Sequence, residues 1–88
     1  MSIKVKISSL LSQYTNDQHM SEVNGGTVGE CLKYVAEQFP KLKLFDNNDK
    51  LLSYLCIIVN EEIVQHSKLD MPVNEGDEVS IILAISGG

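Results

Sequence analysis

The residues best placed for chemistry are the last two. Gly87 and Gly88 close the sequence directly after an apolar alternation that runs to Ile85. A terminal carboxylate is the one reactive group that a chain can push into a partner's narrow channel. Glycines, lacking Cβ atoms, permit the close backbone approach this needs. The carboxylate is inert until activated. If a partner enzyme adenylates it with ATP, a sulfur nucleophile can displace AMP and leave a C-terminal thiocarboxylate. The pattern therefore predicts Gly88 as a reactive tip and Gly87 as its slim neighbour.

Other constellations read as structural. His19 and His66 lie far apart in polar surroundings, without Cys or carboxylate partners at ligand spacing, and are expected to be solvated. Glu61 and Glu62 are adjacent on a turn, where side chains diverge, so acid–base work is not expected of them. Gly25-Gly26 precedes a helix start but completes no phosphate-binding fingerprint, and reads as a turn. Asp46-Asn47-Asn48-Asp49 lacks the central Gly and closing Glu of a calcium loop. Cys31 and Cys56 form no CxxC pair and sit among aliphatic residues, as buried free thiols do. No metal and no bound cofactor is expected.

Composition narrows the field. The 88 residues suffice for one domain. Hydrophobic residues at 43% against 22% charged place the chain among folded proteins. Formal net charge is −5, all seven basic residues are lysine, and Trp is absent. Without the forked guanidinium that reads phosphates and guanine edges, and with few aromatics to stack on bases, nucleic acid is an unfit partner. The apolar runs are far too short to span a bilayer, and the sequence opens directly on a strand pattern rather than a secretory leader. A cytoplasmic setting away from membranes is the expectation.

The elements that must carry the tip follow from periodicity. Ile3, Val5 and Ile7 alternate with Lys4 and Lys6, predicting a half-buried strand. A second, weaker strand is predicted over 18–23, at or near an edge. Thr27-Val28-Gly29-Glu30 fits a capping box. Beyond it Val28, Cys31, Leu32, Val35, Ala36 and Phe39 share one helical stripe, ended by Pro40. Leu42, Leu44 and Phe45 predict a short helical turn or a packed loop. The apolar run 54–59 predicts a central strand buried on both faces. Asn60-Glu61-Glu62 turns it into a short return at Ile63-Val64, and Asn74-Glu75-Gly76-Asp77 is a tight turn before the last strand, 78–85. In that strand Val79, Ile81, Leu83 and Ile85 face one side, and Ser80, Ile82 and Ala84 the other. The order predicts an α+β roll with the last strand beside the first.

Four short pieces carry a resemblance. They are Thr27-Val28-Gly29-Glu30-Cys31-Leu32 at the helix start and Val59-Asn60-Glu61-Glu62 at the hairpin, with Gly76-Asp77-Glu78-Val79 before the last strand and Ile85-Ser86-Gly87-Gly88 at the end. In this order and spacing the chain resembles the MoaD/ThiS family of ubiquitin-like sulfur carriers over nearly its whole length. The resemblance implies a single β-grasp domain over 1–88, a mixed sheet of four to five strands with one main helix across one face, and a Gly-Gly tail. It implies a carrier rather than an enzyme. Gly88 would be adenylated by an E1-like enzyme that uses ATP and loads sulfur, with Gly87 beside it. Family members dock through an apolar patch near the tail. Here that implicates Ile82 and Ala84, with Ile85 and Ser86 leading to the tip, unless a loop covers them.

Branches of the family differ in where the sulfur goes. The stretch 54–64 is most similar to carriers that supply sulfide for cysteine or homocysteine synthesis. In that branch the partners are a sulfur-accepting synthase and a JAMM-type zinc peptidase. Ser8-Ser9-Leu10-Leu11-Ser12 and Leu83-Ala84-Ile85 depart from the thiamine carrier and from the small subunit of molybdopterin synthase. The molybdopterin-synthase subunit stands as the nearest alternative. A ubiquitin-like modifier of target lysines and an interaction module with an idle tail are the others.

Overall fold

Alternation gives the first strand two chemically different faces, and the sheet is built on that difference. The computed structural model describes residues 2–83. Their elements are β1 (Ser2–Ile7), β2 (Met20–Asn24), α1 (Val28–Gln38), β3 (Leu55–Val59), β4 (Glu62–Val64) and β5 (Glu78–Leu83), with short 3-10 turns at Ser12–Tyr14 and His66–Lys68. The strands form one five-stranded mixed sheet in the order β2-β1-β5-β3-β4. β1 runs parallel to β5, and the other pairs are antiparallel. This is the β-grasp arrangement that the resemblance implies, with the last strand beside the first.

One face of the sheet makes the core. Ile3, Val5 and Ile7 from β1, Val79 and Ile81 from β5, and Leu55, Ile57 and Val59 from β3 are all buried. So are Val28, Cys31, Leu32 and Val35 of α1, the stripe read from the sequence. Each large aliphatic side chain so buried contributes roughly 1.5–3 kcal/mol of transfer free energy. The helix starts where Thr27 Oγ1 accepts the Glu30 N–H at 3.2 Å. Glu30 reaches back one residue further than a standard capping box, accepting the Gly26 N–H at 2.6 Å. A Cβ on Gly25 would lie 2.9 Å from Cys31 Sγ, so this turn position has no room for a side chain. Between α1 and β3 the chain is a packed loop that buries Leu42, Leu44 and Leu51 and closes with a bridge between Phe45 and Leu51.

Three sequence expectations need correction. The run 54–59 is not buried on both faces: β3 alternates buried Leu55, Ile57 and Val59 with half-buried Cys56 and Ile58. Its apolar residues are continuous because the outer side is apolar too, not because a second layer covers it. For the same reason Cys56 is a half-buried free thiol, whereas Cys31 is fully buried. The weak strand begins at Met20 rather than at residue 18, since Gln18 O accepts the buried Thr15 hydroxyl at 2.8 Å and closes the preceding turn. It is an edge strand, as its thin apolar content requires.

The turn between β3 and β4 places Asn60 at φ 48 and Glu61 at φ 75, left-handed at both central positions as a type I′ hairpin demands. Glutamate there is strained by about 1–2 kcal/mol, while glycine would lose about 0.4–1 kcal/mol through the freer unfolded chain. Glu61→Gly is therefore expected to raise stability by roughly 0.5 kcal/mol in urea unfolding; an unchanged or lower midpoint contradicts this account of the turn.

The same end of the molecule is tied across strands. Asn60 Nδ2 donates to Asp77 Oδ1 at 3.0 Å, the Asn74 N–H donates to Asp77 Oδ2 at 2.8 Å, and Asn60 Oδ1 accepts the Glu78 N–H at 3.0 Å. The Asn74 backbone donor, then the Asn60 amide, hold the Asp77 carboxyl below the usual carboxylate range. A depressed folded pKa stabilises above the unfolded value, about 3.9, and that contribution disappears as pH falls through the folded one. Thermal melts should show Asp77→Asn less stable than wild type near neutrality, with the gap closing as the solution is acidified below about pH 4. A gap that is constant with pH would contradict the assignment.

Candidate functional site

β5 is the strand that leads to the tip, and it is hydrogen-bonded along both sides. Val5 and Ile7 of β1 stand opposite Val79 and Ile81, while Leu55, Cys56 and Ile57 of β3 stand opposite Leu83, Ile82 and Ile81. Just past β1, the Ser8 N–H donates to Ile81 O at 3.0 Å. The strand is thus held on both sides up to Ile81 and by β3 alone from there to Leu83. Parallel β1 ends, and antiparallel β3 begins, at the same end as Leu83. Of the predicted site residues, Ile82 lies within the described chain; Ala84, Ile85, Ser86, Gly87 and Gly88 lie outside it.

Ile82 occupies the sheet face opposite α1, as the alternation predicts. The ladders place its surroundings. One row crosses the whole outer face as Met20, Lys6, Ser80, Ile58 and Ile63. In the next row toward the tail, Ile82 stands beside Cys56. The face therefore has two halves. Over β5, β3 and β4 it is apolar, with Ile82, Cys56 and Ile58 half-buried and Ile63 73% exposed. Over β1 and β2 it is charged: Lys4 stands opposite both Glu22 and Glu78, and Lys6 Nζ lies 3.4 Å from Glu78 Oε1. The exposure of Ile63 and the partial exposure of its neighbours show that no loop among the described residues seals these positions. Ile58 and Ile63 were not singled out from the sequence. Their signal was present in the alternation of 54–59, but only the strand register shows that they continue the row of Ser80 beside Ile82.

The described residues offer little else for chemistry. No group of three or more His, Cys, Asp or Glu side chains among them could hold a metal ion. His66 is exposed, as expected, and its Nε2 lies 2.7 Å from Leu55 O, tying the loop after β4 to the start of β3. Burial, reinforced by the negative charge of Glu30, pushes the Cys31 thiol up and away from the reactive thiolate. Asp46 Oδ1 is occupied by the Asn48 and Lys50 N–H groups, and Asp49 pairs with Lys33 at 2.9 Å, so the acidic bend closes on itself. No helix of the described residues is long and apolar enough to cross a membrane. What the structure supplies is an open apolar half-face and a strand paired with β3 up to its last described residue.

Known proteins share this arrangement. The sulfur carrier protein CysO of Mycobacterium tuberculosis is 29% identical over 93 residues, covering 100% of both chains. A chain in the crystal structure of the Amycolatopsis orientalis BexX/CysO complex is 28% identical, with a TM-score of 0.83 over 98% of this chain and 99% of that one. The small archaeal modifier protein 1 of Methanosarcina acetivorans superposes with a TM-score of 0.85 at 24% identity, over 99% of this chain and 96% of that one, a likeness of fold. The ThiS family model matches residues 5–88, from the middle of β1 through both terminal glycines, and this chain belongs to the ThiS family.

Proposed function

We propose that this chain is a sulfur carrier, a protein co-substrate whose Gly88 carboxylate is activated and loaded by an E1-like partner. The observation that carries the reading is β5: a strand held by β1 up to Ile81 and by β3 up to Leu83, with an apolar half-face beside it and two glycines at the end of the sequence. Family membership and the full-length likeness to a sulfur carrier support it.

In the proposed sequence, a Gly88 carboxylate oxygen attacks the α-phosphorus of ATP and pyrophosphate leaves. A sulfur nucleophile, sulfide or a persulfide on the partner, then attacks the acyl adenylate carbonyl and AMP leaves. With sulfide the product is the thiocarboxylate directly; with a persulfide, a thiol must reductively cleave the S–S bond. All of this chemistry resides in the partner, and the carrier contributes position. Ile82, Cys56, Ile58 and Ile63 dock against the partner, and Ala84, Ile85, Ser86 and Gly87 lead Gly88 into its channel. On an amino-acid synthase the thiocarboxylate sulfur displaces the leaving group of an activated amino-acid precursor, and the acyl group passes from sulfur to the amine, so that cysteine or homocysteine hangs from Gly88 by an amide bond. A JAMM-type zinc peptidase then releases the amino acid from the glycine tail. The existence of a BexX/CysO complex supports a carrier that works through partner enzymes. The likeness to the archaeal modifier concerns fold and does not favour attachment to lysines.

Intact-mass spectrometry provides the test. Incubation with the cognate adenylating enzyme, ATP and a sulfide source is expected to add the mass of one sulfur-for-oxygen exchange to the wild-type chain. The chain lacking Gly87 and Gly88 should gain nothing. No gain by the wild type, with an enzyme verified on another substrate, would contradict the proposal.

A further inference from the structure

We propose that a cavity at the tail end of the sheet, rimmed by Tyr14, Lys41, Lys43 and Tyr54, is a second docking surface for the enzyme that handles the tail, and that it receives an acidic protein surface. This rests on the carrier function proposed above and adds to the outer apolar face a separate patch with its own chemistry.

The first argument is position. The cavity, of about 180 Å³, is floored by Leu11 and Leu42. Tyr54 immediately precedes Leu55, which stands opposite Leu83, so the cavity opens beside the point from which the tail continues. Leu11 belongs to the segment that leaves β1 at Ser8, which is hydrogen-bonded to Ile81. Residues 84–88, fully extended, reach at most about 17 Å. A standard interface covers about 800 Å² on each partner, a patch roughly 30 Å across. An enzyme that holds Gly88 in its active site therefore lays its surface over this end of the molecule.

The second argument is chemistry. Six large hydrophobic side chains are exposed among the described residues, and three of them, Leu10, Tyr14 and Tyr54, belong to this end. Tyr14 is 43% and Tyr54 51% exposed. Tyrosines flanking an apolar floor are the residue type that most often anchors an interface, since each offers a large rigid area at little entropy cost. Between them stand two exposed cations. Neither Lys41 nor Lys43 has a carboxylate within ion-pairing distance among the described residues; the lysines that do are Lys6 and Lys33. In a chain of net charge −5, this is a local excess of positive charge that the described residues leave unanswered. Carboxylates on the partner complement it and orient the encounter. A nucleic acid would supply negative charge as well, but the overall acidity and the absence of arginine speak for protein.

The test measures thiocarboxylate formation by the cognate adenylating enzyme with ATP and sulfide, comparing wild type with three double variants: Tyr14→Ala with Tyr54→Ala, Lys41→Glu with Lys43→Glu, and Lys41→Arg with Lys43→Arg. All four side chains are exposed, so the fold should survive, and thermal melting checks that it does. The tyrosine and glutamate pairs should each raise KM roughly tenfold or more. kcat should stay within about twofold, because the lost interaction is the same in ground and transition states. The arginine pair should stay near wild type. Wild-type KM should climb with salt, and that of the glutamate pair should not. KM values equal to wild type in both the tyrosine and glutamate variants would overturn this proposal and leave the carrier function standing. A lowered KM in the glutamate pair would mean that the lysines hold the chain's own terminal carboxylate, and would overturn it too. Failure of the wild type itself to be loaded would overturn both readings.

Discussion

The parallel pairing of β1 with β5, reinforced by β3 on the other side, is the constraint on which the molecule depends. A two-stranded attachment would leave one row of backbone groups on β5 without partners. Here the strand occupies the middle of the sheet, with Val79 and Ile81 buried in the core and both edges paired up to Ile81. Parallel neighbours need a crossover, and everything between β1 and β5 supplies it. α1 seals the inner face, and the β3–β4 hairpin closes the far side. The loop holding Leu42 and Leu44 fills the space between helix and sheet. The result is a short, stiff base at Leu83 for a terminus that, in the proposed function, has to be threaded into another protein.

The two sheet faces divide the labour. The inner face holds the fold together. The outer face is apolar over β5, β3 and β4 and charged over β1 and β2, so a partner meeting it has a definite orientation. Burying Ile63 and its neighbours would supply affinity, while the Lys and Glu side chains beside them would set register. With the rim of Tyr14, Tyr54, Lys41 and Lys43, these surfaces surround the end of β5 on two sides. In the proposed function, chemistry at Gly88 and recognition by the sheet fall to different parts of the sequence.

Much of this was legible from residues alone, for identifiable reasons. The period of two in β1 and β5 and the stripe from Val28 to Phe39 are signals of burial, and burial sets the fold. The edge position of β2 followed from its poverty in apolar residues. What periodicity could not give was register. The run 54–59 looked doubly buried because its outward residues are apolar as well; only their pairing with Ser80, Ile82 and Ile63 shows them to be half of an open face. His66 is exposed, as expected, but its bond to Leu55 O was not legible, since it joins residues distant in sequence. The cavity by the tail draws on three separated segments and has no local signature at all. The glycine tip lies outside the described residues, and its role rests on the sequence and the family resemblance.

The central claim is that this scaffold presents a free acyl terminus for activation by another protein's active site. ATP–pyrophosphate exchange by the cognate adenylating enzyme tests it most directly, comparing the natural chain with one carrying a single alanine after Gly88. The account predicts brisk exchange with the natural chain and none with the extended one, because the added methyl obstructs the channel and displaces the carboxylate. Equal exchange with both, the alanine still in place by mass, would contradict it.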